Sequence, residues 1–169
     1  MPATLQANLP ALHATRIDIS KAERQVLIGE LNIALALMTD LVSQVKFSHW
    51  NVKGPNFIAL HELFDTFAAD LTAHIDAIAE RATALGGTAL GTVRMASEHS
   101  TLPEFPVDVF TGPEVVTVLA ERYAEAAKLI RAKIDAAEQQ NDKDTADLFT
   151  GVSRDLDKQL WLLEAHLQG

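Results

Sequence analysis

Five histidine and acidic side chains between residues 49 and 80 have the chemistry of an iron site. Imidazole nitrogens and carboxylate oxygens are ligand types that proteins use for iron. From about residue 56 onward, apolar residues recur at three- and four-residue intervals, which predicts one long amphipathic helix carrying four of the five. The five candidates are His49, His61, Asp65, Asp76 and Glu80.

The four candidates on this helix form one polar stripe, which divides into two halves. At about 100° per residue, they fall within roughly 100° of one another around the helix axis. Along the axis, a rise of about 1.5 Å per residue separates His61 from Asp76 by roughly 22 Å, whereas a ligand atom lies only about 2 Å from its metal. The stripe is therefore two half-sites, each an i, i+4 pair: His61 with Asp65, and Asp76 with Glu80.

The two half-sites are placed symmetrically about the point midway between Asp70 and Leu71. A two-fold axis beside that point would lay an antiparallel copy of the helix against the first, so that each half-site faces the opposite half-site of the other chain. Isologous dimers make self-complementary contacts of this kind. The spacing predicts two identical metal sites at a dimer interface, each built from both subunits. The alternative is a solvated polar face whose side chains form ordinary ion pairs.

The first two predicted helices would bring His49 close to His61. A capping box at residues 20–23 opens the first helix, which runs to about the residue after His49. Residues 53–55 break the chain before the second helix, and the glycines at 86–87 end it. His49 therefore lies near the start of the helix that carries the stripe. The alternative for His49 is a histidine that the helix dipole favours in a C-terminal turn.

The second half of the chain predicts two more long helices after a long connection. Residues 88–110 can cross a bundle from one end to the other, and residues 95–100 have the pattern of a short helix. A second capping box at residues 111–114 opens the third long helix. Asn141-Asp142 interrupts the pattern, and the fourth long helix begins near Asp144. The fold predicted from these signals is all-α.

A cluster of acidic residues surrounds the start of the last helix. It comprises Asp142, Asp144 and Asp147. One interpretation is helix N-capping with favourable charge–dipole contacts. The other is an iron-uptake pore, because three copies of an acidic helix start around a three-fold axis would make a negative funnel for cations. The sequence alone does not decide between these two interpretations.

The composition is that of one helical domain of 169 residues. Residues 1–19 contain two prolines and little periodicity, so they are interpreted as an N-terminal tail before a domain of residues 20–169. The chain has no cysteine, which excludes disulfides and thiolate metal sites. The apolar runs are interrupted, and the first residues lack the basic region and apolar core of a signal peptide, so we expect no membrane span and a cytoplasmic protein.

Three stretches resemble the Dps family of bacterial mini-ferritins, over roughly residues 20–167. They read HWNVKGPNFIALHELFD, HIDAIAERATALGG and DTADLFTGVSRDLDKQLWLLEAHL. The resemblance implies a ferritin-like four-helix bundle with a long B–C crossover containing a short helix, and assembly of two-fold dimers into a hollow dodecamer. It also implies oxidation of Fe(II), preferably by hydrogen peroxide, with storage of the Fe(III) product and an iron pore near the last helix. The family's inter-subunit ligands match His49, His61, Asp65, Asp76 and Glu80.

The other histidines of the chain do not suggest a metal site within one subunit. Asp70 and His74 lie on another side of the second helix and are expected to make contacts within the bundle. His13, His99 and His166 have no partner at ligand spacing. The Glu-x-x-His motif of intrasubunit di-iron ferritins is absent from the sequence, which favours the inter-subunit arrangement.

A nucleoid-associated protein that binds and condenses DNA is the alternative function. DNA-binding Dps relatives often use a lysine-rich terminal tail, but this chain has no lysine before Lys21 and no basic C-terminal extension. The formal charge of −9 opposes contact with phosphates and favours the accumulation of cations. The sequence therefore favours an iron-oxidising cage and argues against DNA binding through the tail.

Overall fold

The structure, a computed structural model, describes residues 11–168 as four long α-helices and one short one. The part of the chain that is described contains no β-strand, and its extended pairing is limited to an isolated bridge between Lys53 and Thr111. The all-α prediction is therefore confirmed, including the short helix in the long connection. The helices are α1 Lys21–Asn51, α2 Phe57–Ala84, α3 Val93–His99, α4 Gly112–Gln139 and α5 Lys143–Ala165.

Both predicted capping boxes are present. The Ser20 hydroxyl accepts a hydrogen bond from the Glu23 backbone N–H at 3.3 Å, and the Glu23 carboxylate accepts one from the Ser20 N–H at 3.0 Å. At the start of α4, the Glu114 carboxylate accepts hydrogen bonds from the backbone N–H and the hydroxyl of Thr111, at 3.4 and 2.6 Å. These contacts satisfy backbone donors that a helix start leaves without partners, so they fix where α1 and α4 begin.

Helix α1 lies at the centre of the bundle, in contact with α2, α3 and α4, while α4 packs along α5. Within the described residues it is the single helix long and apolar enough to cross a membrane by length and composition. However, 67% of the apolar window is buried against the rest of the bundle. Its apolar side chains therefore serve the core, which is completed by large buried residues such as Phe64, Phe67, Tyr123 and Phe149.

The long connection is anchored to α1 at its first residues. The buried Asn32 side chain donates to the Thr88 carbonyl at 3.1 Å and accepts from the Leu90 N–H at 2.7 Å. Gly86 has a φ of 86°, and a Cβ there would lie 2.5 Å from the His13 carbonyl oxygen, so both backbone conformation and space require glycine. The His13 N–H donates to the Gly86 carbonyl at 2.8 Å, which ties residues before α1 to the end of α2.

Candidate metal centre

His49 and His61 stack on each other at the junction of α1 and α2. Their ring centroids are 3.7 Å apart and their planes differ by 19°. The Nδ1 of His49 lies 2.8 Å from the His61 carbonyl oxygen, and the Nδ1 of His61 lies 2.9 Å from the His49 carbonyl oxygen. A carbonyl oxygen can only accept, so each Nδ1 must carry a proton. When the rings are neutral, both Nε2 atoms therefore keep a lone pair for a metal, as is usual for histidine ligands held by a backbone carbonyl.

The turn between α1 and α2 places the two imidazoles. The Val52 N–H ends α1 by donating to the Ser48 carbonyl, and Gly54, at a φ of 111°, lets the chain reverse. The Phe57 N–H then donates to the Gly54 carbonyl at 3.0 Å as α2 begins. The prediction that His49 meets His61 is confirmed, because the last turn of α1 and the first turn of α2 are joined by a short, hydrogen-bonded reversal.

Asp65 lies one helical turn beyond His61 and is held by Lys46. The Lys46 Nζ is 2.7 Å from Asp65 Oδ1, and the Asp65 side chain is 61% exposed. The hydrogen bond and positive charge of Lys46 lower the pKa of Asp65 and outweigh the opposing effect of desolvation, and the nearby His49 and His61 lower this pKa by smaller amounts. Asp65 is therefore ionised near neutral pH, but its carboxylate already has a cationic partner. An exposed pair of this type is weak enough to exchange with a competing cation.

Asp76 and Glu80 make up the second half of the stripe and are free. Both are exposed, and neither side chain makes a hydrogen bond or ion pair with another residue between 11 and 168. Over those same residues, no three His, Asp or Glu side chains converge on a point that could hold a metal within one chain. The structure thus stacks His49 on His61 with Asp65 one helical turn further along α2, and leaves Asp76 and Glu80 roughly three to four helical turns beyond Asp65. The described residues of one chain therefore do not complete a metal site.

The three aspartates near the start of α5 have different environments. Asp142 is buried and is the N-cap of the helix, accepting from the Thr145 N–H at 3.1 Å and from Arg81 Nη2 at 2.8 Å. Burial raises its pKa, but the hydrogen bonds from Thr145 and Arg81 outweigh burial, so the pKa of Asp142 is lowered. Asp144 and Asp147 are exposed. The capping interpretation describes Asp142, whereas the pore interpretation remains a proposal for the other two.

Two cationic side chains that pair with candidate carboxylates, Lys46 with Asp65 and Arg81 with Asp142, were not identified from the sequence. Lys46 lies three residues before His49, a helical spacing that places both on one face of α1 and could have indicated it. Arg81 follows Glu80 directly but turns to the opposite side, where its Nε also donates to the Thr145 hydroxyl at 2.9 Å. Asp70 and His74 make the predicted bundle contacts, with Gln159 and Asp155 of α5.

A four-helix bundle with imidazole and carboxylate half-sites on its second helix defines a ferritin-like protein. The family described as ferritin-like domain matches residues 28–169. The chain is 47% identical to the DNA protection during starvation protein of Agrobacterium fabrum, over 92% of this chain and 96% of that one. Among solved structures it is similar to DpsA14 from Streptomyces coelicolor, with a TM-score of 0.90, 31% identity and 96% of each chain covered. DpsC from the same organism gives a TM-score of 0.89 at 28% identity, over 94% of this chain and 93% of that one.

The chain therefore belongs to the Dps family of ferritin-like proteins. Membership of this family indicates iron storage and oxidative protection as the general role, with iron bound by the protein and an oligomer as the working unit. These general features agree with the donor types of the α2 stripe and with the incompleteness of each half-site in one chain.

Proposed function

We propose that this protein is a ferroxidase that oxidises Fe(II) at sites shared by two chains and stores the Fe(III) product inside a hollow dodecamer. The observation that supports this most directly is the reciprocal hydrogen bonding of His49 and His61. It fixes both rings with Nδ1 protonated and leaves both Nε2 atoms available to iron. The carboxylates with which they would share the metal, Asp76 and Glu80, have no partner in their own chain's described residues.

Each site would combine the two halves of the stripe across a two-fold axis. One chain would contribute Asp76 and Glu80 as the strongest ligands, with Glu80 placed to bridge two irons. The facing chain would contribute His61 and Asp65, and His49 would orient the site or bind a second, weaker iron. Negatively charged carboxylates stabilise Fe(III) more than Fe(II), because the attraction grows with the charge of the ion. The ligand set therefore favours loss of an electron from bound Fe(II).

The proposed reaction uses iron and hydrogen peroxide as its two substrates. Two Fe(II) ions each lose one electron, the O–O bond of one hydrogen peroxide molecule breaks, and uptake of two protons completes two water molecules. The protein's part is to hold the irons close together with open positions, since imidazole and carboxylate ligands from two helices do not enclose a metal. Removing Fe(II) and peroxide together limits the radical chemistry that they would otherwise produce.

Lys46 is placed to pair with Asp65 until iron arrives. Its ammonium group neutralises Asp65 and also lies 5.8 Å from the centroid of the Trp50 ring. Binding of a divalent cation would displace the ammonium group, which costs little because the Asp65 side chain is 61% exposed and an ion pair at such a position is weak. Lys46 would thus reduce the repulsion among the ligand groups in the iron-free protein without blocking the site.

Exposed apolar side chains beside the centre support a second chain at this surface. Trp50, Val93 and Val107 are 68%, 79% and 74% exposed, and they line one groove of about 600 Å³ between α1 and the connection around α3. Exposed apolar side chains grouped along one groove are typical of protein–protein contacts. A two-fold partner that covers them would bring its own stripe to the one described here.

We propose protection of DNA through removal of iron and peroxide rather than through DNA contact. The name of the Agrobacterium fabrum relative refers to DNA protection. In this chain the formal charge of −9 and the lack of lysine before Lys21 oppose binding to phosphates. We accordingly propose a cytoplasmic location and expect no retardation of DNA in a gel-shift assay at low salt.

A crystal soaked anaerobically in Fe(II) and measured at the iron absorption edge tests the site directly. We expect anomalous density between His61 and Asp65 of one chain and Asp76 and Glu80 of its two-fold mate. In solution, Asp76→Ala with Glu80→Ala should reduce peroxide-dependent Fe(II) oxidation to the background rate. The matched control removes two exposed acids from α4, Glu121→Ala with Asp135→Ala, and should retain the rate. An interface without iron in the soaked crystal would refute the ferroxidase assignment.

A further inference from the structure

A groove between α2 and α5, on the far side of α2 from the iron stripe, contains a second set of metal-binding side chain types. Asp70 and His74 on α2 face Gln159 and Asp155 on α5, each pair at i, i+4 spacing. The Gln159 Nε2 donates to Asp70 Oδ2 at 3.1 Å, and His74 Nε2 lies 2.9 Å from Asp155 Oδ2. The contact between α2 and α5 therefore contains two adjacent polar pairs. One pair is a carboxylate with an amide, and the other is a carboxylate with an imidazole.

These pairs do not account for all of the polar atoms in the groove. Gln159 is only 3% exposed, and its Oε1 accepts no hydrogen bond from the residues that the structure describes. A buried carbonyl-type oxygen without a donor costs about 1–3 kcal/mol, so such atoms usually have a ligand or an ordered water as their partner. A cavity of about 350 Å³ opens at this point, lined by all four side chains.

We propose that this groove is a second, intrachain site for a divalent transition-metal cation, held by Asp70, His74, Asp155 and the amide oxygen of Gln159. In the structure these donors are bonded to one another, and Asp70, His74 and Asp155 do not converge on one point, so binding of a cation would require the side chains to rearrange. A cation would replace the two hydrogen bonds: it would take the carboxylates of Asp70 and Asp155 and the His74 nitrogen, and the buried amide oxygen would gain its missing partner. Oxygen and imidazole donors of this kind suit first-row divalent metals.

The charged side chains of the groove determine its affinity for a divalent cation. Asp70 and Asp155 contribute two negative charges, and Lys158, which also lines the cavity, offsets one of them. The groove should therefore bind more weakly than the acidic half of the stripe joined to its partner, and Lys158→Gln should strengthen binding. Because the groove belongs to one chain and lies on the opposite side of α2, its occupancy does not depend on iron oxidation at the two-fold interface.

The test uses Co(II), which air does not oxidise readily at neutral pH and whose visible absorption changes when an imidazole replaces a water ligand. In the assembled protein carrying His49→Gln, His61→Gln, Asp65→Ala, Asp76→Ala and Glu80→Ala, we expect one Co(II) per chain in the groove, seen by titration calorimetry and by anomalous scattering at the cobalt edge. Adding Asp70→Asn and Asp155→Asn should abolish that binding, and adding His74→Gln should remove the imidazole signature. These near-isosteric changes preserve the hydrogen-bonding shapes of the groove.

Asp157→Asn is the matched control, since Asp157 lies on α5 but pairs with Arg131 of α4 at 2.6 Å instead of facing α2. It should leave the cobalt stoichiometry unchanged. Equal cobalt binding with and without the Asp70 and Asp155 changes would overturn the proposal. A groove that holds an ordered water only, without anomalous signal, would overturn it as well. Neither result bears on the inter-subunit site, which the background variant has already removed.

Discussion

Mixing two inactive variants should restore activity if each iron site is built from two chains. The first variant carries His61→Ala and Asp65→Ala, and the second carries Asp76→Ala and Glu80→Ala. In a dimer of one chain of each kind, one site receives both damaged halves and the other receives both intact halves. With random pairing at equal amounts, half of the dimers are mixed, so about a quarter of all sites are intact in an isologous arrangement.

The assay is peroxide-dependent Fe(II) oxidation, followed by absorbance of the Fe(III) product after co-expression of the two variants with distinguishable tags. Each variant alone should show the background rate, and the mixture should reach about a quarter of the wild-type rate per chain. Native mass spectrometry confirms that mixed assemblies have formed. The variant with Asp76→Ala and Glu80→Ala, co-expressed with wild-type chains, is the control, and it should give about half of the wild-type rate whether sites are shared or not.

A mixture that stays at the background rate, although mixed assemblies are present, would refute the shared site. Substantial activity of either variant alone would refute the ligand assignment itself. The two failures are distinguishable, because the first concerns how the half-sites are joined and the second concerns which side chains bind iron. A crystal structure of the mixed assembly would not be needed to decide between them.

Three further predictions concern single side chains. Asp142→Ala should lower the free energy of unfolding, measured in urea at fixed chain concentration, by roughly 3 kcal/mol, because it removes a helix cap and leaves Arg81 without its anion. The control, Asp144→Ala at an exposed position, should change the free energy of unfolding by less than about 0.5 kcal/mol. Because the pKa of Asp142 is lowered in the folded protein, its contribution is present above the unfolded pKa of about 4 and is lost as pH falls through the folded value. Lys46→Met should raise the pKa of Asp65, measured by NMR titration, while an unchanged value would contradict the ion pair. Tyr123→Phe should leave stability unchanged or raise it by about 1 kcal/mol, because the buried Tyr123 hydroxyl has no partner among the described residues; a clear loss in thermal unfolding would contradict this.

The helices and the stripe could be predicted because they depend on local spacing. A capping box and a 3.6-residue period involve only residues close together in the sequence. Ser20 and Glu23 therefore predict the start of α1, and the spacing of apolar residues predicts that α2 is a helix. The position of His61 relative to Asp76 follows from helix geometry alone. The same geometry shows that His61 and Asp76 of one chain cannot bind the same metal ion, a conclusion that needs no tertiary information.

The contacts between helices could not be predicted in the same way. Lys46 and Asp65 are 19 residues apart and meet only because the reversal at Gly54 has a particular backbone path. Likewise, three aspartates near α5 have similar sequence surroundings, yet only Asp142 faces Arg81. Which of several similar carboxylates becomes buried depends on the crossing angle between α2 and α5. A single sequence does not predict that crossing angle.

The two half-sites differ in rigidity, and this difference suits a centre that must bind two oxidation states. His49 and His61 are fixed by stacking and by two backbone carbonyls, so their Nε2 atoms stay in place when iron arrives or leaves. Asp76 and Glu80 have no such restraint, and carboxylates can change between one-oxygen and two-oxygen binding as the charge of the ion rises. A fixed imidazole side positions Fe(II), while a mobile carboxylate side can tighten around Fe(III). In the proposed ferroxidase, a centre with both sides rigid would favour one oxidation state and hold its product, whereas this arrangement would allow the oxidised iron to move on to the stored mineral.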